Sequence, residues 1–462
     1  MRVDPHIFRE YDIRGIVGRE LKGDVPVWIG RAFASDVIRR FGTSGLRIAV
    51  GQDNRPSSPS LAAGVIEGMR AAGIDVVDVG TVPTPVLYYA AARLGTDAGM
   101  QITGSHNPPE YNGFKMLVRG HALYGSEIQV LRRRIEQDDF ASGSGSVQRH
   151  NIIPEYIEDV GSRFHLKRPV KLVADCGNGT GSLVAVDLLR RMGAEVIPLF
   201  CESDGTFPNH HPDPTVDKNL ADLIRAVKDN GADFGVAFDG DADRLGAVDG
   251  NGAIIRGDIL LLLLGLDALE RLGKPQKLVF DVKCSQAVPE VFSAAGGIPI
   301  MWKTGHSLIK EKMKEAGAPI AGELSGHICF GEDYYGFDDA LYGACRLTEL
   351  VSCSGRSLAE LIDAFPKYVS TPEIRVDVSE ETKFQIVQRA VEHFARNYQV
   401  VDVDGARVQF DGGWGLLRAS NTQPVLVLRY EAKTAEQLNA IQNTMEGWLR
   451  EQGVSMTSTA TH

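Results

Sequence analysis

Three short segments that each end in an aspartate decide the fold of this chain: Arg47-Ile-Ala-Val-Gly-Gln-Asp53, Lys171-Leu-Val-Ala-Asp175 and Lys277-Leu-Val-Phe-Asp281. A short apolar run bounded by polar residues is typical of a buried β-strand. A turn of small or polar residues follows each run, and a helix-like stretch follows each turn. The pattern therefore predicts a strand–turn–helix unit that occurs three times.

The same elements follow in the same order after each of these strands. The helix-like stretches, such as 60–72 and 183–192, are predicted to stop at Gly73, Gly193 and Gly297, because glycine is a common end of a helix. A second apolar strand follows each glycine, and a third strand arrives at 98–102, 234–238 and 318–321. Strands that alternate with helices predict βαβ units with a mixed or mainly parallel sheet. We expect three similar α/β domains.

The chain changes character at two further places. The stretch Ala141-Ser-Gly-Ser-Gly-Ser-Val147 has the composition of a linker. After residues 364–372 the pattern becomes one of short strands and helices, which predicts a fourth domain of the α+β class. The predicted domains are 1–147, 148–254, 255–367 and 368–462.

Composition limits the possible partners. The 462 residues carry a formal net charge of −11, which disfavours non-specific binding to nucleic acid or to an anionic membrane. The six cysteines lack the spacing of a metal site and are expected to be reduced thiols. The longest apolar run, 259–266, is too short to span a bilayer and predicts a buried helix. We expect a cytoplasmic protein that binds a small molecule. We also expect a monomer, although no pattern in the sequence reports the oligomeric state.

A polar loop follows the third strand of each unit, at 103–108, 239–244 and 322–327. Ligands of open α/β sheets bind beyond the carboxyl ends of the strands. Three equivalent loops could therefore converge on one cleft.

The second of these loops contains Asp239, Asp241 and Asp243. Three carboxylates at alternate positions of a tight turn can present oxygens to one hard cation. A solvated acidic turn is the alternative. A calcium loop is excluded, because its sixth position holds Arg244 instead of glycine and its twelfth holds Gly250 instead of glutamate. The loop predicts a magnesium site.

Ser105 lies in the first loop, Thr103-Gly-Ser-His-Asn-Pro108. Taken alone this is a turn, and it lacks the G-x-S-x-G elbow of α/β-hydrolases. A phosphorylated serine would offer oxygens to a nearby cation, and the cation would make the serine oxygen a better leaving group. The presence of both loops favours a phosphoserine that works with magnesium.

Basic and polar residues near these loops could bind phosphate or sugar. Arg418 is followed by Ser420, Asn421 and Thr422, which together offer a guanidinium fork, hydroxyls and an amide to a phosphate. Histidines could serve as acid–base groups or structural residues, and Glu323 with Ser325 could contact sugar hydroxyls or cap a helix. The remaining candidates lie at strand ends or in glycine-rich turns: Arg14, Lys115, Arg244, Lys283, His306, His327 and Arg429.

Six loops in order resemble the α-D-phosphohexomutase family, specifically its bacterial phosphomannomutase/phosphoglucomutase branch. The resemblance covers essentially the whole chain. The motifs that carry it are Phe8-Arg-Glu-Tyr-Asp-Ile-Arg-Gly15, Thr103-Gly-Ser-His-Asn-Pro-Pro109, Asn112-Gly-Phe-Lys115, Asp239-Gly-Asp-Ala-Asp-Arg244, Gly322-Glu-Leu-Ser-Gly-His327 and Arg418-Ala-Ser-Asn-Thr422.

The resemblance implies a four-domain, heart-shaped architecture with three similar mixed-sheet α/β domains and a C-terminal α+β domain. It implies an intramolecular phosphotransferase that interconverts the 1- and 6-phosphates of mannose and glucose. The reaction passes through a phosphoserine at Ser105 and a hexose 1,6-bisphosphate, which is both intermediate and activator. The implied partners are small sugar phosphates.

The resemblance also assigns roles to residues. The implied magnesium ligands are Asp239, Asp241 and Asp243, with the phosphoserine oxygen of Ser105. Arg14, Lys115 and His306 are implied in proton transfer and transition-state stabilisation, and His106 and Arg244 complete the predicted catalytic set. The predicted substrate-binding residues are Tyr11, Lys283, Glu323, Ser325, His327, Arg418, Ser420, Asn421, Thr422 and Arg429.

Two positions depart from the family pattern without removing a ligand. Ala242 stands where many relatives have glycine, so the loop backbone must tolerate a Cβ atom, and Gln423 follows the phosphate loop where relatives vary. Leu324 favours the mannose/glucose branch over phosphoglucosamine mutases, which remain the alternative. A magnesium-dependent sugar phosphatase and a non-catalytic sugar-phosphate-binding protein are weaker alternatives, because the remote phosphate loop and every ligand type are present.

Overall fold

The structure is a computed structural model that describes residues 3–42, 45–273, 275–421 and 423–456. The chain forms two compact units. The first comprises the described residues up to Asp267 together with Ser325–Asp363, and the second comprises Ala268–Leu324 and the described residues from Ala364 onward. No helix in these described ranges combines the length and apolar character that a membrane crossing requires.

The strands and helices occur in the following order. The strands are β1 (Ile13–Ile16), β2 (Arg47–Gln52), β3 (Asp75–Thr81), β4 (Ala98–Ile102), β5 (Tyr111–Val118), β6 (His121–Ala122), β7 (Val147–Arg149), β8 (Lys171–Asp175), β9 (Glu195–Leu199), β10 (Phe234–Phe238), β11 (Leu245–Asp249), β12 (Ile254–Ile255), β13 (Lys277–Asp281), β14 (Ile298–Trp302), β15 (Ile320–Gly322), β16 (Ile328–Phe330), β17 (Val369–Ser370), β18 (Ile374–Asp377), β19 (Gln399–Val401), β20 (Ala406–Phe410), β21 (Gly413–Ala419) and β22 (Val425–Ala432). The α-helices are α1 (Val25–Phe41), α2 (Ser58–Ala72), α3 (Thr84–Arg93), α4 (Ser126–Glu136), α5 (Ile153–Gly161), α6 (Ala185–Arg191), α7 (Ala221–Asn230), α8 (Gly257–Leu272), α9 (Ala287–Ala294), α10 (His306–Ala316), α11 (Ala340–Ser354), α12 (Leu358–Ile362), α13 (Lys383–Phe394) and α14 (Ala435–Glu451).

The first sheet has the strand order β1-β5-β4-β2-β3-β7, with β6 beside β5. Strands β2, β3 and β4 are parallel, whereas β5 runs antiparallel to both β4 and β1. Helices α1 and α2 approach each other closely at Gly30 and Gly68, where a Cβ atom would meet the partner backbone at 2.2 and 2.1 Å. The core beneath them is a continuous cluster of aliphatic and aromatic side chains, as the apolar pattern of the strands predicts.

The predicted linker at 141–147 packs against this first sheet. Gly145 N donates to Arg70 O at 3.0 Å, and Val76 N donates to Ser146 O at 2.9 Å. The chain then continues as β7, which pairs in parallel with β3. The stretch with linker-like composition is therefore packed on the sheet: its glycines permit close approach to the backbone of Ile74, where a Cβ atom on Gly145 would lie 1.8 Å from the carbonyl oxygen. The first sheet extends to Arg149.

The second sheet, also in the first unit, has the order β12-β11-β10-β8-β9. Strands β10, β8 and β9 are parallel, and β11 returns antiparallel to β10 through the turn that contains the three aspartates. The apolar run at 259–266 lies within α8, as predicted. Strands β4 and β10 begin and end at the predicted residues.

The second unit contains a parallel arrangement of β14, β13 and β15. It also contains an antiparallel sheet of β17 to β22 with α13 and α14 packed on it around one apolar core. Helix α9 ends at Ala294, ahead of the predicted stop at Gly297, because the left-handed turn falls on Gly296 (φ 90°). The predicted three α/β domains and the C-terminal α+β domain are confirmed.

Candidate active site

Ser105 sits just beyond the end of β4, in the left-handed region of backbone conformation (φ 48°). A non-glycine residue in this region is strained, and such strain persists only where the surroundings fix it. Here the surroundings are a buried ion pair: Arg55 Nη2 donates to Ser105 O at 2.8 Å, and Asp53 Oδ2 accepts from Gly104 N at 2.9 Å. Arg55 Nη1 also donates to Pro108 O at 2.7 Å. The serine loop is therefore held from beneath.

The hydroxyl of Ser105 points at the aspartate loop. Ser105 Oγ donates to Asp239 Oδ2 at 2.9 Å and lies 3.2 Å from His106 Nδ1. Ser105 is 3% exposed. Burial, together with the charge of Arg244, lowers the pKa of His106 well below its usual value.

Asp239, Asp241 and Asp243 follow β10 and are all fully buried. Asp239 Oδ1 accepts from the backbone amides of Asp243 and Arg244 at 3.1 and 3.2 Å, which closes the turn. Ala242 lies at φ 58° in this turn. The Cβ atom of Ala242 therefore strains the backbone of the turn, because the residue adopts a conformation that glycine favours.

The three aspartates can hold a cation. One oxygen from each lies within 4.8 Å of the others, and Asp241 Oδ1, although buried, accepts no hydrogen bond from the described residues. A buried carboxylate oxygen without a donor is costly unless a cation or another donor satisfies it. Burial, and then the charges of Asp243 and Asp241, raise the pKa of Asp239 well above its usual value. The cluster thus has the carboxylates and the excess of negative charge that a divalent cation requires.

Two basic residues predicted from the sequence lie in this cluster. Lys115 Nζ donates to Asp241 Oδ2 at 2.7 Å and to Asp243 Oδ2 at 2.5 Å. Burial opposes the charge on Lys115, but Asp241 and Asp243 outweigh it and raise the pKa of the lysine well above its usual value. Arg14, on β1, donates from Nη1 to Gly104 O at 2.5 Å and from Nε to Asp12 Oδ2 at 3.0 Å. Lys115 therefore contacts the aspartate loop, and Arg14 contacts the serine loop.

The other predicted residues of the first unit complete the same group. His327 Nε2 lies 3.3 Å from Asp243 Oδ1, and its Nδ1 lies 2.9 Å from Ser325 Oγ. Arg244 Nε lies 3.4 Å from His327 Nε2. Tyr11 is half-buried in the turn that precedes β1.

In the second unit, Lys283 and Glu323 follow β13 and β15. Lys283 Nζ lies 3.2 Å from Glu373 Oε2, and Glu323 Oε1 accepts from Gly305 N at 2.6 Å. The next residue, His306, begins α10 and places its Nδ1 3.2 Å from Lys310 Nζ. Burial opposes the charge on Lys283, but Glu373 outweighs it and raises the pKa of the lysine.

The predicted phosphate loop also lies in the second unit, between β21 and β22. Arg418 Nε donates to Asp404 Oδ2 at 2.9 Å, and Ser420 Oγ accepts from Gln423 N at 3.2 Å. Asn421 follows Ser420 at the turn, and Arg429 lies on β22 opposite Leu416. Thr422 falls outside the described residues.

Sequence reasoning missed three residues that shape the first group. Arg55 holds the serine loop, Thr84 Oγ1 donates to Asp241 Oδ2 at 2.6 Å, and Asp213 approaches His106 and Arg244. Burial favours protonation of Asp213, but the charges of His106 and Arg244 outweigh it and lower the pKa of the carboxyl. A polar cluster after a strand end, Asp53-Asn-Arg55-Pro, was the available signal for Arg55. Thr84 had a weaker signal, a Thr-Pro pair at a helix start.

The chain is similar to known proteins over most of its length. The chain matches four successive families: phosphoglucomutase/phosphomannomutase alpha/beta/alpha domains I (residues 5–142), II (154–252) and III (256–368), and the C-terminal domain (373–447). It is 49% identical over 446 residues to a phosphomannomutase/phosphoglucomutase of Pseudomonas aeruginosa, covering 96% of this chain and 95% of that protein. It is 46% identical over 442 residues to a phosphoglucomutase of Neisseria gonorrhoeae, covering 95% of each.

The fold of the chain is also similar to that of a solved structure. The crystal structure of a phosphoglucomutase/phosphomannomutase family protein from Burkholderia thailandensis superposes with a TM-score of 0.91 at 42% identity. The superposition covers 98% of this chain and 99% of that one. With both sequence and fold in agreement over nearly the whole length, the chain belongs to the phosphoglucomutase/phosphomannomutase family.

Proposed function

We propose that this protein is a phosphohexomutase that interconverts hexose 1-phosphate and hexose 6-phosphate through a phosphorylated Ser105. The observation that carries the proposal is the 2.9 Å contact between Ser105 Oγ and Asp239 Oδ2. It places the buried hydroxyl of Ser105, a residue with a strained backbone, against one of three clustered carboxylates. A serine in this position can carry a phosphoryl group whose oxygens share a cation with the aspartates.

Magnesium is the cation that we propose for the cluster. Asp239, Asp241 and Asp243 would hold it, because carboxylate oxygens are its preferred protein ligands and a phosphoserine oxygen would complete the protein-derived set. When bound, it would neutralise charge on the phosphoryl group and make the serine oxygen a better leaving group.

The residues of the first unit would act on the phosphoryl group as follows. The phosphoryl group on Ser105 would pass to the free hydroxyl of a hexose monophosphate, giving a 1,6-bisphosphate, and the serine would regain a phosphoryl group from the other position. Lys115 and Arg14 would stabilise negative charge as the phosphorus–oxygen bond breaks and the new bond forms, since both cations border the serine and aspartate loops. His106 and Arg244 would complete this set.

Proton transfer and substrate recognition are assigned by the same proposal. His306 would exchange the proton of the attacking or leaving hydroxyl, because a histidine titrates near neutral pH and this one begins a helix. Glu323 and Ser325 would contact sugar hydroxyls. The other proposed substrate-binding residues are Tyr11, Lys283, His327, Arg418, Ser420, Asn421, Thr422 and Arg429.

The proposed substrates are the phosphates of glucose and mannose, and the proposed activator is a hexose 1,6-bisphosphate. The names of the relatives support this substrate class, because they are phosphomannomutase/phosphoglucomutase and phosphoglucomutase. Domain limits at 1–147, 148–254, 255–367 and 368–462 are also proposed. The four matched ranges, 5–142, 154–252, 256–368 and 373–447, support this division, and the first sheet continues to Arg149.

Phosphorus NMR tests the function directly. The purified protein is incubated with magnesium and a trace of glucose 1,6-bisphosphate, and glucose 1-, mannose 1- and glucosamine 1-phosphate are offered in parallel. Conversion of the first two to 6-phosphates without free phosphate is the expected result. Preference for glucosamine 1-phosphate would overturn the substrate but not the mechanism, and release of inorganic phosphate alone would indicate a phosphatase.

A further inference from the structure

The first residue of α13, Lys383, has a buried ammonium group beneath the predicted phosphate loop. The residue is 1% exposed. Its Nζ donates to Ser420 O at 2.6 Å and to Gln423 O at 3.2 Å. These two carbonyls lie on either side of the turn between β21 and β22, so a single cation ties both ends of the turn.

A buried lysine is unusual because removing its charge from water is costly unless nearby groups compensate for it. Part of the compensation comes from Glu380 Oε1, 2.7 Å away. The Glu380 side chain is 66% exposed, and such a partner contributes little. The two loop carbonyls are therefore the main buried partners of the ammonium among the described residues.

Further hydrogen bonds of Gln423 fix the same turn that the Lys383 ammonium contacts. Gln423 N donates to Ser420 Oγ at 3.2 Å, and Val425 N donates to Gln423 O at 2.9 Å. The Gln423 side chain is held separately, because its Oε1 accepts from Arg375 Nη1 at 2.7 Å. Lys383 thus holds the carbonyl oxygens of Ser420 and Gln423 and places a positive charge beneath these two residues. Both effects favour an anion on the loop.

We infer that Lys383 is a positioning residue for phosphate binding by the 418–422 loop. It acts through the backbone of Ser420 and Gln423, not by touching the substrate. The inference rests on the proposed function, because it assigns the loop to the phosphate remote from Ser105. Lys383 lies outside every sequence motif of the family resemblance, although its ammonium contacts the 418–422 motif in the structure.

The test compares Lys383→Met, which removes the charge and keeps the length, with Lys383→Arg, which keeps the charge. Lys433→Met is the control, since Lys433 is an exposed lysine of the same domain. We expect Lys383→Met to raise the KM for glucose 1-phosphate about tenfold or more, while kcat falls less than about threefold. Lys383→Arg should restore most of the affinity, and the control should match the wild type.

A second readout separates positioning from general damage. Slow loss of the phosphoryl group from phospho-Ser105 to water needs no remote phosphate, so mass spectrometry should find the wild-type rate in Lys383→Met. An unchanged KM, or a fall in kcat alone, would overturn the inference. If Lys383→Met does not fold, Lys383→Gln replaces it in the same assay. A KM raised about tenfold or more in Lys383→Gln supports the inference. A wild-type KM, or a second failure to fold, contradicts the inference because Lys383 would then have a purely structural role. A wild-type protein without mutase activity would instead contradict the proposed function.

Discussion

Ser105 Oγ donates a hydrogen bond of 2.9 Å to Asp239 Oδ2, although 134 residues separate them in sequence. The contact joins the ends of two strands from different sheets, β4 and β10, within the first unit. It brings a nucleophilic hydroxyl to the turn whose three carboxylates can hold a divalent cation.

Ser105→Ala removes the group that would carry the phosphoryl. We expect turnover to fall by about four orders of magnitude, because no other hydroxyl has the same contact with Asp239 among the described residues. The melting temperature should stay close to that of the wild type, since only the contacts of the hydroxyl with Asp239 and His106 are lost. A coupled assay for glucose 6-phosphate measures the rate, and wild-type turnover in the variant would contradict the role of Ser105.

Asp241→Asn should weaken magnesium binding. The substitution removes negative charge beside Lys115 and alters the buried oxygen that accepts no hydrogen bond from the described residues. We expect the magnesium concentration for half-maximal activity to rise about tenfold to a hundredfold. Asp229→Asn, on the exposed end of α7, is the matched control. Isothermal titration calorimetry with magnesium gives a readout that does not depend on activity, and equal affinities for both variants would contradict the site.

Arg55→Met should destabilise the protein and disturb the serine loop. Arg55 is 1% exposed and donates to the carbonyls of Ser105, Asn107 and Pro108. Its loss leaves these acceptors and Asp53 without their cation, at a cost of about 3 kcal/mol in the free energy of unfolding. Urea unfolding measures the change. Arg225→Met, whose arginine side chain is 69% exposed, should change stability by less than about 0.5 kcal/mol.

Ala242→Gly should stabilise the protein. Ala242 adopts φ 58°, where a Cβ atom is strained, and glycine removes that strain for a net gain of about 1 kcal/mol. The control is Ala237→Gly on β10, where extended backbone carries no such strain and glycine should destabilise by about 1 kcal/mol. Thermal melting of the two variants should therefore shift in opposite directions. A loss of stability in both would show that the Ala242 backbone is not strained.

Glu373→Gln should reveal a pH-dependent contribution to stability. The charge of Lys283, and then that of Arg375, outweigh burial and lower the pKa of Glu373 to about 2. Because the folded pKa lies below the unfolded value of about 4.3, the ionised group stabilises the fold above that value. The contribution disappears as the pH falls through the folded pKa.

The measurement compares urea unfolding of the wild type and Glu373→Gln across this range. We expect a difference of about 2 kcal/mol near neutral pH, reduced from the full effect of the pKa shift because Glu373 is partly exposed. The difference should shrink between about pH 4 and about pH 2. A difference that is constant with pH would contradict the ion pair as its source.

Much of the fold could be predicted because the relevant patterns are local. Strands β4 and β10 were predicted to the residue, since short apolar runs bounded by polar turns are strong signals. The composition of the segment at 141–147 did not predict its packing, because small residues favour both linkers and close packing. Its backbone contacts with Arg70, Ile74 and Val76 show that the segment packs against the first sheet.

The sequence by itself determined which groups one loop can present. Asp239, Asp241 and Asp243 share a five-residue turn, so their spacing alone places their carboxylates together, and the strand end before Ser105 predicts a polar loop. Tertiary structure alone decided which contacts the distant groups make with this cluster. Lys115, a candidate from the sequence, reaches Asp241 across 126 residues, and Thr84, which no sequence pattern indicated, reaches it across 157. The physical reason is that local spacing fixes the geometry of a turn, whereas contacts between sheets depend on how whole layers pack, which no short pattern encodes.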